Sequence, residues 1–189
     1  MIMTPTEHFT KLDLPAYDLL SELNFMLNEN IVNWGNINQI CINTTIDYKD
    51  NFHHGAGSLY FDWSNIENGK PSIRPVELQE NDFTELCSVF TGTVFEEVYQ
   101  KLKATFNIGR LRLMKSIPKT CLTWHYDNTM RIHYPLSTSE GCLMIIENEV
   151  KHLPANTWWL TNTLVKHTAL NASMEDRIHL VASLKNEDS

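Results

Sequence analysis

The sequence predicts a mainly β protein with flanking helices, arranged as a sandwich or jelly roll. From residue 107 onward, short segments of alternating or β-rich composition follow one another, punctuated by Pro118, Gly141, Pro154 and Asn-rich turns. Before residue 107, apolar residues instead recur at helical spacing. Many short strands in one run favour an antiparallel sandwich over a parallel sheet with helical crossovers.

Two segments carry the three-to-four apolar spacing of an amphipathic helix. The first covers residues 15–28 and begins at Pro15, a residue suited to an early helical position. The second covers residues 80–106, and Gly92 in its middle is expected to divide it into two helices. We expect these helices to pack outside the β-sandwich.

Eight segments are candidate strands because they are short, β-rich and bounded by turn residues. They are residues 39–46, 58–63, 109–114, 129–136, 142–147, 157–160, 165–170 and 177–184. Trp158 and Trp159 should point to opposite faces of their strand, one into the core and the other towards a pocket or lid.

The chain has 189 residues, which suits one well-buried core and is short for two ordinary domains. We expect a single domain over residues 1–189, with a helical, substrate-shaping part at about 1–106 and a β core at about 107–185. Four widely spaced cysteines predict free thiols and no structural zinc site.

Composition excludes several function classes. A net charge of -8 without clustered Lys and Arg argues against binding to nucleic acid or to an anionic membrane. No apolar run approaches the roughly 20 residues of a membrane helix, and no signal or transit peptide is visible. We therefore expect a cytoplasmic protein, whose oligomeric state the sequence leaves open.

The sequence His125-Tyr126-Asp127, followed by His167, is a candidate metal site. In an extended strand, His125 and Asp127 share one face, so both can hold one ion. The His-x-Asp pattern alone often arises by chance. Two imidazoles and one carboxylate together are the ligand set of non-haem Fe(II) oxygenases.

Arg131 and His133 share one face of a predicted strand, close behind Asp127. One interpretation makes Arg131 a surface residue and His133 a core histidine with its hydrogen bonds satisfied. The nearby metal motif favours another interpretation, in which both bind a carboxylate.

Arg177 follows His167 across a turn, and pairing of the two strands as a hairpin would place Arg177 beside the metal site. Guanidinium offers a planar, always charged fork, which suits the far carboxylate of 2-oxoglutarate. The alternative is a buried ion pair with Glu147 or Asp127. His179 has the same parity as Arg177, so it faces either the same cavity or the core.

Four further residues are candidates for substrate contact. They are Trp159, Arg74, His53 and Arg112.

From about residue 108 to residue 183, the chain resembles the aspartyl/asparaginyl β-hydroxylase family of Fe(II)- and 2-oxoglutarate-dependent oxygenases, together with its free-proline hydroxylase relatives. The matching segments are IGRLRLMKSIP, WHYD, MRIHYPL, VKHTALNAS and DRIHLVAS. The resemblance implies a double-stranded β-helix, which is a cupin-like jelly roll. It also implies that Asp127, which some animal members lack, places the chain nearer to the bacterial, small-amino-acid branch.

The resemblance assigns roles by position. The implied iron ligands are His125, Asp127 and His167. Arg177 is the implied 2-oxoglutarate anchor, and Arg131 with His133 forms a second contact to that cosubstrate.

The expected function is hydroxylation of an unactivated C–H bond of an amino acid, free or within a protein and of Asp, Asn or Pro type. The reaction uses Fe(II), O2 and 2-oxoglutarate and releases succinate and CO2. Asp127 occupies the position that a halide would need, which favours hydroxylation over halogenation. The alternatives are a non-catalytic cupin-like binding module and a zinc-dependent enzyme on the same fold. The predicted dicarboxylate pocket at Arg177, Arg131 and His133 favours the oxygenase.

Overall fold

The computed structural model describes residues 7–185. Its α-helices are α1 (Leu19–Asn28) and α2 (Val94–Thr105), and short 3₁₀ turns cover Ile46–Tyr48, Glu80–Asp82 and Ser88–Phe90. The strands are β1 (Phe9–Leu12), β2 (Gln39–Cys41), β3 (Asn43–Thr44), β4 (Phe61–Glu67), β5 (Lys70–Ile73), β6 (Glu85–Leu86), β7 (Ile108–Ser116), β8 (Thr120–Cys121), β9 (Arg131–Ser137), β10 (Cys142–Ile146), β11 (Glu149–His152), β12 (Trp158–Thr161), β13 (His167–Asn171) and β14 (Arg177–Leu184).

Strands β7 to β14 form a double-stranded β-helix. A six-stranded antiparallel sheet has the order β1-β12-β9-β14-β7-β2, and a four-stranded sheet has the order β11-β10-β13-β8. Most connections cross from one sheet to the other, which is the winding of a jelly roll. The predicted fold class is therefore confirmed.

The six-stranded sheet has one apolar and one polar face. Leu113, Tyr134 and Leu180 lie on its apolar face in the main core, which also contains the buried residues of α1 and α2. Alternate residues on the same strands point the other way because side chains alternate along a strand. The polar face therefore looks towards the four-stranded sheet.

Helix α1 begins later than the predicted residue 15. The Asp18 side chain caps it by accepting a hydrogen bond from the Ser21 N–H, and such caps set helix starts. Pro15 precedes the cap, and its carbonyl accepts a hydrogen bond from the Trp158 indole. Leu19 and Leu23 are fully buried against the core, as the periodicity predicts.

The predicted helix over residues 80–106 is confirmed only in its second half. The preceding 3₁₀ turn ends at Phe90, Gly92 follows with a φ of 78°, and Thr93 then caps α2. The first half contains two 3₁₀ turns and strand β6, which pairs with β3. This pairing across the chain overrides the local helical spacing, so the N-terminal part is less helical than expected.

Two N-terminal strands belong to the large sheet. Strand β1 pairs with β12, and β2 pairs with β7, so each extends one edge of the sheet. The predicted strand at 58–63 is instead Phe61–Glu67, which forms a hairpin with β5. Asn68 and Gly69 make its two-residue turn with φ values of 51° and 74°, as such hairpins require.

Candidate active site

His125, Asp127 and His167 lie together at one end of the four-stranded sheet. Their possible ligand atoms are all within 4.8 Å of one another. His125 and His167 exchange two backbone hydrogen bonds of 3.0 Å, and the Asp127 N–H donates to the Thr163 carbonyl at 2.9 Å. These hydrogen bonds form an isolated bridge and not a continuous ladder. The segment from His125 to Asp127 is therefore not the extended strand that was predicted.

Hydrogen bonds to the backbone orient both histidine rings. The Nδ1–H of His125 donates to the Thr123 carbonyl at 2.7 Å, and that of His167 donates to the Val165 carbonyl at 2.9 Å. A carbonyl only accepts, so the proton of each neutral ring is on Nδ1. Each Nε2 then presents a lone pair, which is the orientation of a metal-binding histidine.

Asp127 completes the cluster as a carboxylate. Its Oδ2 lies 3.6 Å from His167 Nε2 and accepts a hydrogen bond from Arg131 Nε at 3.0 Å. Burial alone would raise the pKa of Asp127, but the charge and hydrogen bond of Arg131 hold it below its usual range. Two imidazole nitrogens and an ionised carboxylate therefore suit a divalent ion such as Fe(II) or Zn²⁺.

A cavity of about 720 Å³ lies beside this cluster. The polar face of the six-stranded sheet forms one wall of the cavity, and the metal cluster borders it from the other side. The cationic and imidazole side chains that this face contributes are Arg110, Arg112, Arg131, His133, Arg177 and His179. A cavity of this size suits small-molecule ligands.

Arg177 lines the cavity, but its strand is not paired with that of His167 as predicted. His167 opens β13 in the four-stranded sheet, whereas Arg177 opens β14 in the six-stranded sheet. The two strands therefore do not form the predicted hairpin, because the turn between them crosses the sandwich. Arg177 and His167 nevertheless line the same cavity.

Arg177 is a buried cation without an acidic partner. Its Nε donates to His179 Nε2 at 3.0 Å, and its Nη2 lies 3.3 Å from Nδ1 of the same ring. Within residues 7–185, no carboxylate pairs with Arg177, and Asp127 binds Arg131 instead. Burial lowers the pKa of Arg177 to about 10, so it remains charged at neutral pH. The expected alternative of an ion pair with Glu147 or Asp127 is wrong.

The hydrogen bond from Arg177 to His179 also determines which ring nitrogen of His133 carries the proton. The shorter contact makes His179 Nε2 the acceptor from Arg177, so the ring proton is on Nδ1. That nitrogen lies 3.4 Å from His133 Nδ1, which then accepts and leaves the His133 proton on Nε2. Burial, with the charges of Arg177 and Arg131, lowers the pKa of His133 to about 3, so the ring is neutral.

His133 Nε2 is consequently a buried donor with no hydrogen-bond partner among the described residues. His133 is therefore not a core histidine with all its hydrogen bonds satisfied. Arg131, which shares its face of β9, is 8% exposed, so it is not a surface residue either.

Glu80 is a buried acidic residue of the cavity wall that the sequence did not predict. Its Oε1 accepts bonds from Arg110 Nε and Nη2 at 3.1 and 2.9 Å and lies 3.6 Å from Arg131 Nη1. Burial alone would raise the pKa of Glu80, but Arg110, Arg112 and Arg131 lower it to about 2. Gly109 permits this approach, since a Cβ there would lie 2.5 Å from Glu80 Oε2.

Of the four predicted substrate contacts, Arg112 alone is among the lining residues of this cavity. Arg74 is buried elsewhere, bonded to the carbonyls of Phe61 and His54. His53 hydrogen-bonds to the Gln39 carbonyl and to Asn33.

Trp159 lies in a second apolar cluster with residues such as Phe9 and Met144. Its indole N–H donates to Thr157 Oγ1. We therefore do not retain Arg74, His53 or Trp159 as substrate contacts. Trp158 lies in the main core, so the two tryptophans take opposite faces as predicted.

None of the helices in the described part of the chain is long and apolar enough to cross a membrane. No curated protein sequence matches the chain significantly.

Solved structures with similar folds include an oxidoreductase of the 2OG-Fe(II) oxygenase family from Burkholderia pseudomallei. It is 12% identical, with a TM-score of 0.49 over 93% of this chain and 83% of the other. A cupin domain from Bordetella pertussis Tohama I is 15% identical, with a TM-score of 0.36 over 41% of this chain and 81% of the other. A predicted oxalate decarboxylase from Thermotoga maritima is 14% identical, with a TM-score of 0.36 over 48% and 74%.

A family model describes the larger part of the sequence. The model for aspartyl/asparaginyl β-hydroxylase matches residues 48–187, which include the metal cluster and every charged residue of the cavity wall named above. The chain therefore belongs to the aspartyl/asparaginyl β-hydroxylase family.

Proposed function

We propose that the protein is an Fe(II)- and 2-oxoglutarate-dependent dioxygenase that hydroxylates an unactivated C–H bond of an amino acid. One observation carries this proposal. The metal-ligand cluster shares a cavity with a buried guanidinium that has no carboxylate partner among the described residues, Arg177, and with an unpaired imidazole donor, His133. Such a cavity suits a metal ion and a dicarboxylate together.

His125, Asp127 and His167 would hold the iron through two Nε2 atoms and a carboxylate oxygen. Iron bound there, with 2-oxoglutarate and O2, supplies the oxidation of the C–H bond while the cosubstrate becomes succinate and CO2. The chain fixes the ligands beforehand, because the Thr123 and Val165 carbonyls orient the two rings.

Arg177 and His133 would bind the cosubstrate. Arg177 is charged and buried, so a carboxylate beside it gains a strong, poorly screened hydrogen bond. His133 Nε2–H is a second donor, and the contact from Arg177 through His179 keeps it in that tautomer. Arg131 bonds Asp127 and lines the same wall, so it positions the metal-binding carboxylate beside this pocket.

The donors on the cavity wall favour this function over a zinc-dependent enzyme. Zinc hydrolysis needs an open metal position and does not need two buried donors for a dicarboxylate. A binding module would hold a metal or a ligand without turnover, so release of succinate distinguishes it from the oxygenase.

The test is an anaerobic titration of the protein with Fe(II) and then with 2-oxoglutarate, followed by visible absorption. We expect a metal-to-ligand charge-transfer band in the wild type and in Tyr126→Phe, a variant of the exposed residue between two ligands. Asp127→Ala and Arg177→Ala should lose or weaken the band. Tight zinc binding without any band would favour the alternative functions.

A further inference from the structure

Arg112 is a second buried cation in the cavity wall. It is 5% exposed and lies on β7 opposite Val181, which in turn lies opposite His133 on β9. Residues opposite one another in a sheet share a face, and neighbouring strands are about 4.8 Å apart. Arg112 and His133 therefore face the same cavity from positions roughly 10 Å apart along the sheet.

One edge of the Arg112 guanidinium is held by the protein and the other is not. Its Nη1 donates to Gln39 Oε1 and to the Gly57 carbonyl, both at 3.1 Å. Its Nε is buried without a partner, and its Nη2 makes no hydrogen bond within the described part of the chain. Nε and Nη2 form the side-on fork that binds a carboxylate through two parallel bonds.

Arg110, two residues earlier on the same strand, has a carboxylate bound to its own Nε and Nη2 fork. Its Nε and Nη2 both donate to Glu80, and its Nη1 donates to the Gly57 carbonyl at 2.7 Å. The Gly57 carbonyl thus accepts a hydrogen bond from each of the two arginines. The difference is that Arg112 has no carboxylate of its own.

The ion pairs of the cavity wall also indicate that Arg112 is available to bind an anion. Glu80 and Asp127 are the partly buried carboxylates of the lining, and they pair with Arg110 and Arg131. Neither Arg112 nor Arg177 forms an ion pair with a carboxylate among residues 7–185, and Glu80 acts on Arg112 only at longer range. Burial and the repulsion of Arg110 and Arg131 lower the pKa of Arg112 to about 9 despite the attraction of Glu80, so a bound anion would stabilise it. A cosubstrate at Arg177 accounts for one of these two cations.

We propose that the substrate is a free amino acid whose α-carboxylate binds the Nε and Nη2 fork of Arg112. This inference rests on the proposed function, because it takes Arg177 as the cosubstrate anchor and an amino acid as the substrate. A residue inside a polypeptide has no α-carboxylate to offer. Its amide would leave the buried guanidinium unpaired, which costs binding free energy.

The first test compares ligands on the wild-type protein with Fe(II) and 2-oxoglutarate bound. The twenty L-amino acids, their primary amides and their N-acetyl amides are tested for succinate release and, anaerobically, for binding by calorimetry. We expect at least one free acid to bind, and its amide to bind at least ~30-fold more weakly. Equal binding of the amide or the capped form, or no binding of any free acid, would overturn the proposal.

The second test compares Arg112→Gln with Lys115→Gln. Lys115 also borders the cavity but pairs with Asp176 at 3.6 Å, so its loss controls for a change of net charge. Arg112→Gln should weaken binding of the amino acid at least ~30-fold and abolish the preference for acid over amide. Lys115→Gln should leave both within about threefold of the wild type.

The charge-transfer band distinguishes a failure of this inference from a failure of the proposed function. Arg112→Gln should keep the band, since 2-oxoglutarate remains at Arg177, and loss of the band would show that Arg112 binds the cosubstrate instead. If the wild type gives no band, the proposed function fails, while calorimetry of acids and amides on the zinc-loaded protein still tests Arg112. If Arg112→Gln does not fold, the wild-type comparison decides.

Discussion

Arg177 and His167 face one cavity from opposite sheets of the sandwich, although a single turn of five residues connects their strands. The candidate metal ligands and the proposed cosubstrate anchor are therefore supported by different hydrogen-bond ladders. Metal binding and cosubstrate binding should accordingly respond separately to mutation.

Loss of a metal ligand should abolish turnover. Asp127→Ala and His167→Ala each remove one of three donors, so we expect Fe(II) affinity and succinate release to fall by at least about 100-fold. Equilibrium dialysis against Fe(II) and a succinate assay measure both. Tyr126→Phe is the control, and full activity of Asp127→Ala would show that the ligand assignment is wrong.

Arg177→Lys should weaken cosubstrate binding while leaving metal binding intact. Lysine keeps the charge but loses the planar fork, and one lost charge-assisted bond corresponds to about 1.5–3 kcal/mol. The KM for 2-oxoglutarate should therefore rise by about 10- to 100-fold. Steady-state kinetics with varied 2-oxoglutarate test this, and an unchanged KM together with weaker Fe(II) binding would contradict it.

Glu80→Gln should destabilise the protein at neutral pH. The change leaves the buried Arg110 without its ionised partner, so the free energy of unfolding should fall by about 3–5 kcal/mol. Urea unfolding followed by tryptophan fluorescence measures it. Glu77→Gln, at an exposed residue of the cavity rim, should change it by less than about 0.5 kcal/mol.

The destabilisation by Glu80→Gln should shrink in acid. The pKa of Glu80 is lowered from 4.5 to about 2 in the folded protein, so its charge stabilises the fold fully only above pH 5. That contribution, on the order of 3 kcal/mol, is lost as the pH falls towards 2. Unfolding of both proteins at several pH values tests this, and a constant difference across the range would exclude it.

Tyr134→Phe should loosen the segment before α1 from the β core. The Tyr134 hydroxyl accepts from the Tyr17 N–H at 2.8 Å and donates to the Tyr17 carbonyl at 2.7 Å. Phenylalanine leaves both groups unpaired, so the free energy of unfolding should fall by about 1–3 kcal/mol. Tyr126→Phe, whose tyrosine is 66% exposed, should show no comparable loss in the same urea experiment.

The features of the site that sequence reasoning predicts are those that follow from local geometry. Arg131 and His133 share a face of β9 and Tyr134 faces the core, because strand alternation depends on neighbouring residues alone. The proximity of His125, Asp127 and His167 also agrees with the motif.

Other features depend on contacts between distant residues. The choice between a hairpin and a sheet crossing after β13 is made by pairing with β10 and β7, which no local pattern encodes. Glu80 lies in a segment with helical spacing, and its role depends on Arg110, thirty residues away. The alternation of Arg110 and Arg112 with apolar residues indicates buried cations in this strand, and buried cations need acidic partners. The pattern does not identify the residues that serve as those partners.

Strand β14 serves the cavity and the core with alternate residues. Its cavity residues are Arg177, His179 and Val181, and its core residues are Ile178, Leu180 and Ala182. Point substitutions in the first set can change the preferred ligand during evolution without disturbing the packing beneath the helices. Insertion or deletion of one residue would exchange the two sets, so we expect homologues to vary in the composition of this strand and to keep its length.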